Sequence, residues 1–347
     1  MTETDKTVEF LKNTTAKDGV VIIFNNDSDG IASCLLVMKT LEKNGVKKPF
    51  IIAQPMPPEK NLIKRVQTSL PNKMIFLDMA IDQKEDVVKK LKGICDILII
   101  DHHQVFKNLN SGNVVHYNPR FRNPKIYQST SYLAYKICSR VHDISQYLWV
   151  AAIGMVADYD LSHSKELVDE VKNRYGHDAM GDFSMISFMI ESSRATKKMT
   201  CEEIVNVLAR HEDYKEFLES KDAEKMTEAY RELQSEIDMT FADAEVNSEI
   251  LGRLVLYGIK SRYNISSIIS TKLAEKHKNK IIVVYEKSGA KAKMSARTHS
   301  GMDVAKLLQK AARGLKASAG GHEAAAGATL NTSDWEKFKE HLAKLCK

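Results

Sequence analysis

An aspartate and two histidines stand side by side at Asp101, His102 and His103, directly after the apolar residues 97–100. A short apolar run of this kind is typical of a buried strand in a parallel sheet. Open α/β sheets bind their ligands at the carboxyl ends of such strands. Because an acid and two imidazoles are costly to bury without a partner, the segment predicts a divalent-metal site. The alternative is a strand-to-loop junction that carries polar residues by chance.

Four further aspartates occupy similar positions along the chain. Each follows an apolar run: Asp27 and Asp29 after residues 20–24, Asp78 after 74–77, and Asp158 after the helix-like run 153–157. The ends of parallel strands meet at one edge of a sheet, so we expect these side chains to lie close together. Carboxylates at such distances repel one another unless cations neutralise them. Oxygen and imidazole ligands together favour manganese or magnesium, with zinc also compatible.

The elements that must position these residues alternate in the first half of the chain. Strands are predicted over 19–24, 50–53, 74–78 and 96–100, and helices over 31–41, 61–70 and 82–91, the last with Asp82 as its N-cap. This alternation indicates an α/β fold with a parallel sheet. Ser129, Thr130 and Ser131 begin a further predicted helix, whose N-terminus either binds a phosphate or is capped by a hydroxyl group.

The second half contains one long amphipathic helix over residues 222–242, which we interpret as a connector between two domains. A new set of elements follows it: strands over 251–259, 280–285 and 292–298, and helices over 266–277, 302–312 and 334–345. The length of 347 residues is sufficient for two domains.

Composition and charge argue against several classes of protein. The sequence has no apolar run of about 18 residues, as a membrane span would need, and its polar N-terminus lacks the apolar core of a secretion signal. The five cysteines are scattered without Cys-x-x-Cys spacing, so we expect reduced thiols in a cytoplasmic protein. The net charge of +6 suits a phosphodiester partner and fits a lysine-rich solvated surface equally well.

The four aspartate-containing motifs, in this order, resemble the DHH phosphoesterase superfamily, which is named for a segment like Asp101-His102-His103. The glycines and histidine at 320–322 resemble the Gly-Gly-His signature of its DHHA1 subdivision. That subdivision includes RecJ-type exonucleases, nano-RNases with 3′-phosphoadenosine 5′-phosphate phosphatase activity, and cyclic-dinucleotide phosphodiesterases. The resemblance covers nearly the whole chain. It implies a parallel-sheet DHH domain with helices on both faces (1–195), a helical connector (196–244) and a smaller α/β DHHA1 substrate-binding domain (245–347).

In that superfamily, the residue matching Asp78 bridges two divalent cations, for which we expect Mn²⁺, with Mg²⁺ as the alternative. The resemblance implies that Asp27 joins Asp78 at one cation, and that Asp29, His102 and Asp158 join it at the other. A water molecule between two cations loses its proton readily and could attack a phosphodiester.

The resemblance assigns roles to two neighbours of these ligands as well. His103 is expected near the scissile phosphate, as a charge stabiliser or an acid, and Asp101 is expected to orient a histidine. The chain departs from the superfamily pattern shortly before Asp27, where a histidine or an aspartate is usual and this chain has Ile23 and Asn25. Asn25 offers a neutral amide oxygen at best, so we expect a weak ligand and a less tightly held first cation.

The C-terminal motif is interpreted as a substrate clamp. Gly320 and Gly321 allow a phosphate to approach the backbone closely, and His322 could donate a hydrogen bond to it. Arg297, which follows Ser295 on a predicted strand, has the planar fork that pairs with a phosphate or a carboxylate. The alternatives are a plain turn for the glycines and an ordinary surface arginine.

Three functions are compatible with these motifs. The first is a RecJ-like exonuclease that hydrolyses single-stranded DNA or RNA ends with water activated by two metal ions. The second is a related enzyme acting on nano-RNA, 3′-phosphoadenosine 5′-phosphate or cyclic dinucleotides. The third belongs to another class: a non-catalytic scaffold like Cdc45, which binds GINS-type replication partners. The intact aspartate and histidine motifs argue against the third function, and Asn25 argues faintly for it.

Overall fold

The computed structural model describes residues 2–346, and these form two compact units. The first unit extends to Tyr230 and the second begins at Arg231, so the division falls within one long helix, Lys221–Asn247. This helix includes the predicted amphipathic segment 222–242. The domain boundaries proposed at residues 195 and 244 stay a prediction.

The first unit is built on a five-stranded, entirely parallel sheet in the order β2-β1-β3-β4-β5. Its strands are β1 (Val20–Asn25), β2 (Phe50–Gln54), β3 (Lys73–Leu77), β4 (Asp96–Ile100) and β5 (Val114–Tyr117). Its helices are α1 (Glu3–Lys12), α2 (Ser28–Lys43), α3 (Leu62–Gln67), α4 (Glu85–Leu91), α5 (Thr130–Cys138), α6 (Leu148–Ala157), α7 (Lys165–Tyr175), α8 (Ala179–Ala195), α9 (Cys201–Leu208), α10 (Tyr214–Leu218) and the beginning of α11 (Lys221–Asn247). The predicted α/β fold with a parallel sheet is confirmed.

Both faces of this sheet are buried, which explains why the strands are continuous apolar runs. In β1, Ile22 and Phe24 belong to the core formed with α2, α5 and α6. The alternate residues, Val21 and Ile23, belong to a separate core with α3 and α4. Helices therefore cover both faces, as expected from the resemblance.

The strand order determines where polar residues gather. Along the sheet the order reverses between β1 and β3, because the chain leaves β1 to form β2 on one side and returns to form β3 on the other. Ligands of open parallel sheets bind at such a reversal, beyond the carboxyl ends of the strands. Asp27 and Asp78 lie just beyond the ends of β1 and β3.

Two predicted elements differ from the structure. The helix predicted to begin at Asp82 starts at Glu85, after a 3₁₀ turn over Ile81–Lys84. Asp82 is not an N-cap, because its carboxylate accepts hydrogen bonds from the backbone N–H groups of Phe106 and Lys107, at 2.7 and 2.9 Å. It therefore holds the loop that follows Asp101-His102-His103.

The second difference lies in the strand predicted over 251–259, which is a hairpin of β6 (Glu249–Leu251) and β7 (Leu254–Gly258). Gly252 has a φ of +63° and makes the turn that periodicity alone did not reveal.

The second unit contains a mixed six-stranded sheet in the order β10-β11-β9-β8-β7-β6. Its remaining elements are α12 (Ser266–Lys276), β8 (Ile281–Ser288), β9 (Lys291–Thr298), α13 (Val304–Ala311), β10 (Ala317–Gly321), β11 (Ala325–Asn331) and α14 (Trp335–Leu345). Strands β7 and β8 pair in parallel, and the other neighbours in this sheet pair antiparallel. One face of the sheet packs against α13 and α14, around Trp335 and Phe338. Across residues 2–346, none of the helices has the length and apolar character that a bilayer crossing requires.

Candidate metal centre

Asp78 lies at the centre of the strand-end cluster. Its backbone N–H donates to the carbonyl of Ile100 at 3.0 Å, so the hydrogen bonding of β3 with β4 continues to this residue. Its φ of +59° is left-handed, a conformation that costs a non-glycine residue about 1–3 kcal/mol. Thr130 Oγ1 donates to Asp78 Oδ1 at 3.0 Å. These two hydrogen bonds thus hold the Asp78 carboxylate at the carboxyl ends of the strands.

Asp27 links the end of β1 to the start of α2. It is the N-cap of this helix, and its Oδ1 accepts from the N–H of Gly30 at 2.9 Å. The cap explains why α2 begins at Ser28, earlier than the predicted start at residue 31. Gly30 cannot be replaced without a shift of the backbone, since a Cβ there would lie 2.2 Å from the carbonyl oxygen of Asn25.

Asp29 is held by the N-terminus of α5. Its two carboxylate oxygens accept from the backbone N–H groups of Thr130 and Ser131, at 2.7 and 2.9 Å. The anion at this helix terminus is therefore the side chain of Asp29, while Ser129 Oγ caps the helix by accepting from Tyr132 N. Hydroxyl capping, one of the two predicted roles of this segment, is observed.

His102 lies between two of the candidate ligand carboxylates. Its Nε2 lies 3.3 Å from both Asp78 Oδ1 and Asp158 Oδ2. Adjacent ligands of an octahedral ion with bonds of about 2.1 Å are about 3 Å apart, so this spacing fits a shared cation. The other ring nitrogen, Nδ1, is buried and has no hydrogen-bond partner within residues 2–346.

Two groups of ligand atoms could hold cations. One comprises Asp78, His102 and His103, and the other Asp29, His102 and Asp158; within each group the atoms lie within 4.8 Å of one another. The donor set of carboxylate oxygens and imidazole nitrogens fits Mn²⁺ or Mg²⁺. The structure thus brings together the residues expected at the second cation.

His103 points toward Asp101 as well as toward the cluster. Its Nδ1 lies 2.8 Å from Asp101 Oδ1 and 3.9 Å from Asp78 Oδ1. The histidine that Asp101 contacts is therefore His103. Asn118, just beyond the end of β5, donates to the carbonyl of His103 at 3.0 Å and to Asp101 Oδ2 at 3.4 Å.

The pKa values reflect burial and mutual repulsion. Burial, with the nearby charge of Asp27, raises the pKa of Asp78 well above its ordinary value, and burial also raises the pKa of Asp27. Burial and the charge of Asp29 raise the pKa of Asp158 to about 8. Burial lowers the pKa of His102, which favours the neutral ring that binds metals.

The pKa values of His103 and Asp101 shift toward the charged forms, because each of these two residues stabilises the charge of the other. Although burial opposes both changes, their hydrogen bond raises the pKa of His103 and lowers the pKa of Asp101. His103 is therefore suited to carry a positive charge, and Asp101 a negative one.

Asn25 faces the cluster through its amide nitrogen. This nitrogen donates to Asp27 Oδ2 and, at 3.3 Å, to Asp78 Oδ2. The amide oxygen accepts from the N–H of Asn26 at 2.9 Å. The arrangement gives the two carboxylates a neutral hydrogen-bond donor and directs the amide oxygen of Asn25, its potential ligand atom, to the backbone.

Several residues at the centre were not found from the sequence. Tyr127 donates to Asp158 Oδ2 at 3.3 Å, and its ring lies 5.1 Å from that of His102. Glu191 of α8 accepts from both the N–H and the hydroxyl of Ser28, at 2.9 Å each, and thereby supports the loop between Asp27 and Asp29. Asn118 directly follows β5, so the rule that polar residues gather at strand ends could have revealed it; Tyr127 and Glu191 carry no such signal.

The C-terminal candidates lie in the second unit. Gly321 and Ala326 pair across a tight hairpin in which the His322 N–H donates to the Ala325 carbonyl at 2.8 Å. Gly321 has a φ of +139°, and a Cβ there would lie 2.5 Å from the carbonyl oxygen of Ala325. Gly320 and His322 are exposed. The glycines therefore end β10, and His322 begins the turn that follows, open to solvent.

Arg297 and Ser295 lie on β9, the second neighbour of β10 in this sheet. The guanidinium of Arg297 donates to Ser267 Oγ at 2.7 Å and to Ser295 Oγ at 3.2 Å. Ser295 is buried and also hydrogen-bonds Ser270 at 3.0 Å. The serines hold the arginine fork in place, so it is not a loose surface side chain.

Known protein families match both units of the chain. The N-terminal domain model of the DHH family matches residues 19–157, and the DHHA1 domain model matches residues 252–347. No curated protein matches the chain by sequence.

Solved structures share the fold at low identity. Exonuclease RecJ bound to manganese has 16% identical residues and a TM-score of 0.73, over 100% of this chain and 94% of the other. RecJ with Mn²⁺ from Thermus thermophilus has 15% identity and a TM-score of 0.71, over 100% of this chain and 55% of the other. CDC45 from Entamoeba histolytica has 10% identity and a TM-score of 0.55, over 99% and 98%.

Each unit thus contains one matched region, and most residues of the candidate metal centre lie within the first of these regions. The chain belongs to the DHH/DHHA1 superfamily, and its fold is similar to that of RecJ.

Proposed function

We propose that this protein is a metal-dependent phosphodiesterase that hydrolyses the ends of single-stranded DNA or RNA. The observation that carries the proposal is the position of His102 Nε2, 3.3 Å from both Asp78 Oδ1 and Asp158 Oδ2. Such a buried acidic and imidazole cluster is costly unless cations neutralise it. The likeness to manganese-bound RecJ supports the choice of a nucleic acid end as the substrate.

In this proposal Asp27, Asp29, Asp78, His102 and Asp158 hold divalent cations, Mn²⁺ or Mg²⁺. Bound cations would supply a water acidic enough to attack a phosphodiester at neutral pH. The protein's own contribution is positional. Thr130, Ser131 and Gly30 orient the carboxylates through the hydrogen bonds described above.

His103 is proposed to act on the phosphate itself. The hydrogen bond with Asp101 uses Nδ1, so Nε2 is the nitrogen that can donate to a phosphate oxygen. The raised pKa of His103 keeps the ring protonated to a higher pH, which suits both charge stabilisation and proton donation to the leaving oxygen.

Substrate binding is proposed for the second unit. Arg297 presents a fork fixed by two serine hydroxyls, and His322 stands exposed in the turn that follows Gly321. Both are suited to phosphate oxygens. The shape of this surface, but not its charge, comes from Gly320, Gly321 and Ser295.

A second candidate function is a non-catalytic scaffold that binds GINS-like replication partners. The observation that favours it is Asn25, whose amide nitrogen stabilises Asp27 and Asp78 where a charged ligand is usual. The likeness in fold to CDC45 is consistent with such a role. The full set of remaining ligands favours the enzyme.

An end-labelled hydrolysis assay distinguishes these functions. The purified protein is incubated with a dinucleotide, an RNA and a DNA of about 20 nucleotides, each with Mn²⁺, Mg²⁺ or EDTA. A RecJ-like exonuclease shortens the long strands stepwise. A nano-RNase cleaves the dinucleotide in preference, and 3′-phosphoadenosine 5′-phosphate and cyclic dinucleotides test the remaining alternatives. A protein that cleaves none of these with either metal would be a scaffold.

A further inference from the structure

Two strongly exposed aromatic side chains stand beside the candidate metal centre. Tyr159 is 86% exposed and Phe188 is 56% exposed. Both line a cavity of about 390 Å³ whose wall also contains Asp27, Asp29 and Asp158. The cavity lies entirely within the first unit and is of the size that small-molecule ligands occupy, about 300–1,000 Å³. An aromatic wall therefore adjoins the acidic cluster.

The helix α8 is oriented so that one of its faces lines this cavity. Ser184, Ser187, Phe188 and Glu191 all contribute to the wall, and their spacing of three and four residues places them on one side of a helix. Glu191 holds the loop of Asp27 and Asp29, so the same helix face supports the metal centre and presents Phe188 beside it.

Tyr159 also lines the cavity, immediately after the candidate ligand Asp158. Its φ of +54° is unfavourable for an aromatic residue, and its N–H closes the end of α6 by donating to the Val156 carbonyl at 3.1 Å. Burial of the side chain does not compensate, because the side chain is almost fully exposed. Strained residues of this kind concentrate at binding sites.

We propose that Phe188 and Tyr159 stack on the base of a nucleotide whose phosphate lies at the metal centre. This inference rests on the proposed function and names the residues that would hold the base beside the cleaved phosphodiester, a contact that inorganic polyphosphate could not make. A phosphate beside the cluster leaves its attached nucleoside within the same cavity, against the aromatic wall. Because every base has a π-face, stacking selects for a base without selecting its identity.

The alternative occupant of an exposed aromatic wall is a partner protein. The position of the wall argues for the nucleotide, since the same cavity continues into the carboxylates that would hold the cations. A protein surface placed there would close the entrance to the centre.

The test compares Phe188→Ala and Tyr159→Ala with the wild-type protein. The matched control is Phe50→Ala, since Phe50 is also exposed, at 46%, but lies at the beginning of β2, opposite the strand ends that carry the centre. Each protein is assayed for hydrolysis and for equilibrium binding with Mn²⁺. The probes are a dinucleotide, the same dinucleotide with one abasic sugar, and tripolyphosphate.

The two alanine variants should raise the KM or Kd for the dinucleotide about tenfold, and Phe188→Tyr should restore it. The amount of bound Mn²⁺ should be unchanged, which would show that the substitutions leave the metal centre intact. Wild-type protein should bind the abasic probe as weakly as the variants bind the normal one. Equal affinity of all proteins for the dinucleotide, or equal use of tripolyphosphate by the wild type, would overturn the stacking proposal.

The same data separate this inference from the proposed function. Cleavage that neither alanine substitution alters would leave the phosphodiesterase standing and refute the aromatic wall. Binding that depends on Phe188, without any cleavage, would support the wall and refute the enzyme.

Discussion

The candidate metal centre and the candidate substrate clamp are built in opposite ways. In the first unit, Asp29 and Asp78 are only 1% and 2% exposed, and each accepts hydrogen bonds from Thr130. In the second unit, His322 stands exposed in the turn that follows Gly321. Buried carboxylates oppose folding unless they are neutralised, whereas an exposed histidine costs the fold almost nothing. The cost of burying the carboxylates of the candidate metal centre therefore indicates a functional role. The exposed His322 carries no comparable cost that would indicate one.

The largest effect should come from Asp78→Asn, which keeps the shape of the side chain and removes its charge. We expect activity to fall at least about a thousandfold, because the central ligand is lost. The metal-free variant should nevertheless melt at a higher temperature than metal-free wild type, since repulsion among buried carboxylates is relieved. Kinetics and thermal melts in EDTA measure both. If the metal-free variant melted at a lower temperature than metal-free wild type, repulsion among these carboxylates would not be destabilising the fold.

Gly154→Ala tests how tightly the centre is packed. A methyl group on this residue of α6 would lie 2.6 Å from Asp29 Oδ1 and 2.4 Å from Ser131 Oγ. A displacement of about 1 Å can cost a hundredfold, so we expect kcat/KM to fall by about that factor.

The control for this substitution is Gly181→Ala in α8. No atom of the described chain outside its own helix turn lies within 4 Å of a methyl group there, and alanine is the better helix former. Equal activity of the two variants would show that Asp29 can shift without consequence.

In the second unit, Arg297→Ala and His322→Ala should raise KM about tenfold while bound Mn²⁺ stays at the wild-type level. His322→Ala should also leave the melting temperature unchanged, since the side chain is exposed. His299→Ala serves as a control, because His299 is an exposed histidine of the same unit. If either variant lost manganese as Asp78→Asn does, the division between metal and substrate residues would be wrong.

Asn25→Asp and Asn25→His should lower the Mn²⁺ concentration at half-maximal activity by about fivefold. Each replaces a neutral donor to Asp27 and Asp78 with a ligand, and metal affinity follows ligand charge and number. Asn26→Asp adds the same charge one residue away and is the matched control. If Asn26→Asp lowered the Mn²⁺ concentration at half-maximal activity equally, the effect would come from added negative charge and not from a new ligand.

The smallest effect concerns pH. Asp158 has a pKa of about 8 in the folded, metal-free protein, and an unfolded aspartate titrates near about 3.9. Between these values the folded state retains a proton that the unfolded state has lost, so stability should fall as pH rises from about 4 to 8. Mn²⁺ binds the deprotonated ligands and should reverse this slope. Melting temperatures measured across this pH range, with and without Mn²⁺, test the prediction. The same dependence on pH in both conditions would contradict it.

The sequence predicted the parts of the fold that depend on local pattern. Apolar runs that end in aspartate identified β1, β3 and β4, and the parallel sheet then brings Asp27, Asp78 and His102 together. The structure shows this convergence, while the catalytic and metal-binding roles of these residues stay predictions. The clamp residues were found through resemblance alone, because exposed glycines at the end of a strand have no pattern of their own.

What the sequence could not predict depends on contacts between distant segments. Glu191 reaches Ser28 across a sequence separation of 163 residues, and nothing in α8 indicates that one of its faces serves a loop near the N-terminus. Asp82 looked like a helix cap because its neighbours are helical, yet its carboxylate holds the loop at Phe106. Local propensity cannot show which of two available donors a carboxylate will accept from.

The support of Asp29 has a consequence for genetic robustness. Both of its oxygens accept from backbone N–H groups, at Thr130 and Ser131, so these particular hydrogen bonds use donors that every amino acid except proline retains. An alanine scan would pass over this pair of bonds without detecting it. Proline at either position is the one substitution that deletes a donor outright. The support of Asp29 is thereby insulated from most single-residue variation in this segment, whereas Asp78 depends on the side-chain hydroxyl of Thr130.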